Sequence, residues 1–113
     1  MIKRYPGSVD TRSRMVIHDG RIFTVATSIN KSSSLFEQTS EALAVIDAAL
    51  MEAGSSKSKI LSATVFITDM NRKPEMNKAW DEWVDRQNPP QRACIGAFLE
   101  GNDLVEILIT AAV

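Results

Sequence analysis

Residues Leu104–Ala112, LVEILITAA, decide the fold. In an extended chain successive side chains point to opposite sides. Val105, Ile107 and Ile109 therefore share one face, and Leu104, Glu106 and Leu108 share the other. Both faces are mostly apolar, whereas a strand with one wet face alternates apolar with polar. The segment needs cover on two sides. Loops folded across a central strand are one source of that cover. A second copy of the chain is the other, and the stronger reading: an oligomer whose interface acts as a second core.

Working outward from this strand, Arg92–Leu99 reads as the strand before it, joined to it by a tight turn at Glu100-Gly101-Asn102-Asp103. Upstream, Pro74 suits the first turn of a helix, where its missing N–H costs nothing. Met76, Trp80 and Trp83 fall on one side of that helix, and Asn88-Pro89-Pro90 stops it. Lys59–Thr68 (KILSATVFIT) is β-branched and apolar, as a buried strand requires. Leu35–Ala53 is a longer helix with Ser34-x-x-Glu37 as a capping box. Phe36, Thr39, Leu43, Ile46 and Leu50 form its stripe, and Gly54 supplies the left-handed residue beyond its end. Met15–His18 and Arg21–Ile29 read as a hairpin around Asp19-Gly20, whose glycine accepts the positive φ of a type I′ turn. The order is ββαβαββ, an α+β layout with one sheet and two helices able to cover one of its faces.

The 113 residues fit one domain, 1–113, with no internal repeat and no linker. Thirteen Lys and Arg against 14 Asp and Glu give a net charge of −1. With no basic block or stripe, general nucleic-acid binding is not expected. One Cys precludes an internal disulfide, and one His with one Cys makes a metal site or a Cys–His dyad a poor expectation. The start, MIKRYPGSVDTRSR, has no apolar run of signal-peptide type, and no stretch approaches the roughly 20 apolar residues of a membrane span. A cytoplasmic location is the expectation. His18 reads as a surface residue, and the two Trp as core anchors rather than stacking platforms. Arg92 and Cys94, two apart on a strand, share a face. Glu106, placed on the neighbouring strand, is a carboxyl in apolar surroundings, where such a group needs a partner.

The runs FEQTSEALAVIDAALMEAGSS, KILSATVFITDMN, EMNKAWDEW, PPQRAC and LVEILITAAV follow one another in the order and spacing of the YjgF/RidA (YER-type, L-PSP) family, which this sequence resembles over roughly residues 15–113. It looks closer to the short YoaB-like branch than to the archetypal deaminases. The resemblance implies a chorismate-mutase-like fold and a homotrimer around a central barrel, with sites in clefts between neighbours. It also implies hydrolysis of enamines and imines such as 2-aminoacrylate to 2-keto acids and ammonia, with no cofactor. Arg92 would clamp the substrate carboxylate, Glu106 would position and activate water, and Asn77 and Cys94 would line the cleft. The family's N-terminal Tyr-Ser-Gln is absent, with Thr11–Arg14 (TRSR) in that region. Val25-Ala26-Thr27 fall where the family has Ser-Gly-Gln, which makes Val25 and Ala26 cleft residues without the serine hydroxyl.

Imine hydrolysis fits so sparse a site. The C=N carbon is already electrophilic, so the reaction needs orientation, an aimed water and proton transfer rather than a strong nucleophile or a metal. A guanidinium grips a planar carboxylate through two parallel hydrogen bonds, which Lys cannot do. The alternative reading is a non-catalytic trimer that binds small carboxylates in the same clefts, and the missing Tyr and Ser favour it. The ribonuclease activity implied by the name L-PSP is disfavoured by a pI near 5.8 and by the lack of a His pair.

Overall fold

The computed structural model describes residues 1–113 as a single six-stranded sheet with two helices. The strands are β1 (Lys3–Pro6), β2 (Ser13–His18), β3 (Arg21–Ala26), β4 (Ile60–Ile67), β5 (Gln91–Gly96) and β6 (Val105–Ala112). The helices are α1 (Leu35–Glu52) and α2 (Lys73–Trp83). Across the sheet the order is β1-β2-β3-β6-β4-β5, antiparallel except for the β4–β5 pair. None of the helices is long and apolar enough to cross a membrane.

The hairpin between β2 and β3 turns through Asp19 at φ 52° and Gly20 at φ 75°, the two positive angles that a type I′ turn demands. At the start of α1, Ser34 Oγ accepts from the Glu37 amide at 3.1 Å. The reciprocal half of the expected capping box is not made. The Glu37 carboxylate accepts from Ser32 Oγ instead, and the Ser34 amide donates to that same hydroxyl. The buried row of α1 starts at Leu35, with Gln38, Thr39, Ala42, Leu43, Ile46 and Leu50 behind it. Phe36, expected to lead it, is only half-buried, with the Lys78 ammonium 4.3 Å from its ring centre. Trp80 and Met76 anchor α2 in the core, and the Trp83 indole N–H donates to Asp47 of α1 at 2.8 Å.

Three expectations need correction. First, the polar N-terminal run contains a strand: β1 pairs with β2 through main-chain bonds, which need no apolar stretch, and Tyr5 packs against the core. Second, β3 stops at Ala26 rather than Ile29, because the chain then turns into a loop held by Ser28 and Lys31. Third, β5 and β6 are not a hairpin. The chain from β4 through α2 returns parallel beside β4, as a strand–helix–strand crossover does. The Glu100–Asp103 turn exists, with the Asp103 amide bonded to the Glu100 carbonyl, but it lies in a longer connection that passes the end of β4. β4 therefore separates β5 from β6.

The helices cover one face of the sheet. Ile22, Thr24, Ala63, Val65, Ile107 and Ile109 point toward them and are buried. On the opposite face Phe23, Val25, Leu108 and Ile95 are each between 41 and 45% exposed. No loop folds across them, so the second face of LVEILITAA is bare in the single chain.

One buried polar side chain fixes the approach to β6. The Gln38 amide nitrogen donates to the carbonyls of Ser32 (2.6 Å) and Asn102 (3.0 Å), and its oxygen accepts from the Leu104 amide (2.9 Å). Gln38→Met keeps the volume and deletes all three bonds, leaving the backbone groups unpaired beside an apolar core. The expected cost is about 2–3 kcal/mol, read from urea unfolding at fixed protomer concentration, together with faster hydrogen exchange at the Leu104 amide.

Candidate functional site

Except for Ala26, which pairs with the buried Ile107 and faces the helices, the expected site residues fall into two groups on opposite faces of the sheet. Residues paired side by side on neighbouring strands point the same way. Arg92 pairs with the buried Ala63 and Cys94 with the buried Val65, so both face the helices. The Arg92 guanidinium lies against α2, with Nη1 3.7 Å from the Met76 sulfur and its carbon 5.5 Å from the Trp80 ring centre. Asn77 follows Met76 on that helix, half-buried, and its side-chain oxygen is buried without a hydrogen-bond partner. Cys94 is half-buried and packs against the core, as a small apolar residue would.

Glu106 pairs with Phe66 on the uncovered face. It lines a cavity of about 420 Å³ with Val25, Ala26, Thr27, Arg12 and Arg14 among its walls. The strand end of β3 and the start of β6 thus bring together three expected residues, Val25, Ala26 and Glu106. They do not bring Arg92. The expected placement of Arg92 and Glu106 on neighbouring strands is wrong, since β4 lies between and the two side chains leave opposite sides of the sheet. The parallel return of β5 is the cause, and the sequence turn at 100–103 conceals it.

The charges around the Glu106 cavity are unevenly committed. Arg14 donates through both terminal nitrogens to the Glu52 carboxylate at 2.9 Å each, over the ring of Tyr5. That fork holds the Glu52 carboxyl below its usual range. Asp103 is neutralised by the Lys31 ammonium at 2.6 Å, which also binds the Ser28 carbonyl. Arg12, Glu100 and Glu106 make no ion pair.

Sequence reasoning missed Gln38 and Arg12. The signal for Gln38 was a polar residue within the apolar row of α1. For Arg12 it was a cation in a region where the resembled family has an aromatic.

A family model described as Endoribonuclease L-PSP matches residues 2–113. The chain is 44% identical over 102 residues to the RutC family protein YoaB of Escherichia coli (strain K12), covering 89% of this chain and 90% of that protein. It is 42% identical over 103 residues to a RutC family protein of Haemophilus ducreyi, covering 89% and 88%. The crystal structure of a member of the YjgF protein family from Neisseria meningitidis, 37% identical, superposes with a TM-score of 0.93 over 99% of this chain and 94% of that one.

Proposed function

The chain belongs to the YjgF/RidA (L-PSP, RutC) family, and from that membership and the divided site we propose that it hydrolyses small carboxylated enamines and imines of the 2-aminoacrylate type in clefts between copies of a homotrimer. The observation that carries the reading is the split itself. One chain holds Arg92, Asn77 and Cys94 on its helix side and Glu106 and Val25 on its bare side. A ligand held by both groups needs two chains, and the exposed row of Phe23, Val25, Leu108 and Ile95 is the surface that would bring them together.

In this reading, Arg92 of one subunit orients the substrate carboxylate by a two-point grip. Glu106 of the next aims a water at the C=N carbon, accepts its proton and returns one to the departing nitrogen. The products are a 2-keto acid and ammonia. The Asn77 amide, whose oxygen lacks a partner, would hydrogen-bond the amino or imino group. Val25 and Ala26 supply an apolar wall and no hydroxyl. A trimer that only binds small carboxylates is the second reading, favoured by that missing hydroxyl and the missing aromatic near residue 12.

Equilibrium sedimentation at micromolar concentration is expected to give three times the 12.5 kDa chain mass. Leu108→Asp, which buries a charge in each interface, is expected to yield monomers. A wild-type monomer would sink the shared cleft. Ammonia release from imines made in situ by an amino-acid oxidase is expected to fall on the order of 100-fold in Arg92→Ala and in Glu106→Gln. Tight calorimetric binding of keto acids without turnover in wild type would select the binding protein instead.

A further inference from the structure

The Glu106 cavity contains a cation that the proposed hydrolysis does not use. Arg12 lines it, on the loop between β1 and β2, together with Arg14. Arg14 is unavailable, because both its terminal nitrogens are spent on Glu52. Arg12 is exposed and has no carboxylate partner. The loop that carries it closes tightly at its base: a Cβ on Gly7 would lie 2.6 Å from the Arg12 carbonyl oxygen, so only glycine allows the backbone to bring residue 12 this close. Three carboxylates, Glu100, Asp103 and Glu106, share the lining with Arg12. Asp103 is neutralised by Lys31, and Glu100 sits in an exposed turn at the rim. A free guanidinium thus shares the cavity with the apolar side chain of Val25 and the unpaired Glu106.

We infer that Arg12 makes the cavity selective for dicarboxylates, with one carboxylate of the ligand at the Arg92 clamp and a second, at the far end of its chain, at Arg12. This rests on the placement of the reacting group beside Glu106 proposed above. A substrate with only one carboxylate would leave one of the two guanidinium groups without an anion. The cavity, at about 420 Å³, has room for the part of a five-carbon diacid between Glu106 and Arg12, the Arg92 end lying across the interface.

Two five-carbon keto acids differing only in the terminal group test this: 2-oxopentanoate and 2-oxopentanedioate, titrated calorimetrically into the assembled wild type, Arg12→Ala, Arg12→Lys and Arg92→Ala. Wild type is expected to bind the diacid on the order of ten-fold more tightly, as one added charge-assisted contact gives. In Arg12→Ala the ratio is expected to approach one, and in Arg12→Lys to recover in part. An unchanged ratio in Arg12→Ala overturns the inference. So does an equal loss for both acids, which would make Arg12 the general carboxylate anchor. The Arg92→Ala arm addresses the parent reading separately: if it leaves both affinities intact, the clamp is lost while the role of Arg12 stands.

Discussion

A sheet of six strands with helices on one side only is the constraint from which the rest follows. On the helix side, α1 and α2 bury Ile22, Val65, Ile107 and Ile109. The other side presents Phe23, Val25, Leu108 and Ile95 to water, with Phe66 beside them half-buried. A monomeric protein rarely leaves a contiguous apolar surface of this kind open. Every strand that contributes to it also contributes to the finished core, so these residues cannot be made polar and moved aside by a shift of register without emptying that core. The bare face is fixed by the same pleat that makes the protein fold.

That pleat also explains why the chemistry is divided. Arg92 and Glu106 lie in one sheet, but the parity of their positions sends them to opposite sides, and β4 stands between their strands. No side-chain rotation brings them together within one chain. Assembly and catalysis then become one event in the proposed function: a substitution that disrupts the bare face removes the cleft as effectively as loss of Arg92.

Much of this was readable in the sequence. The helix α1, its cap at Ser34 and its end at Gly54 were legible because local chemistry dictates them: a hydroxyl for an orphan amide, a residue free to take positive φ. The Asp19-Gly20 turn was legible for the same reason. The two-sided demand of LVEILITAA was legible because side-chain alternation is a property of any strand. Strand order was not. It depends on whether α2 returns the chain beside β4 or beyond it, a matter of how Met76 and Trp80 settle on the sheet rather than of any residue in the 97–104 connection. β1 escaped because its partner is backbone. Within the site, Val25, Ala26 and Glu106 line one cavity, whereas the neighbouring-strand position of Arg92 relied on the mistaken hairpin.

The altered pocket bears on what the reaction requires. Imine hydrolysis proceeds in water unaided, so a catalyst gains most from fixing the substrate and directing the proton. A hydroxyl at residue 25 or 26 would add one contact. A second guanidinium adds a stronger one, provided the ligand carries an anion to meet it. In the proposed function, Arg12 and a small apolar wall in place of an aromatic and a serine would keep the capacity to orient a ligand while changing which ligand is oriented. The same arithmetic weighs against phosphodiester cleavage. His18 is exposed at the far end of β2 with its ring against the Met1 carbonyl, remote in the strand from the Ser13–Arg14 end that borders the cavity. The cations of the first strands divide between faces, Lys3 and Arg14 flanking Tyr5 while Arg4 pairs with Val16. A polyanion would meet no continuous track, but a short diacid needs only two points.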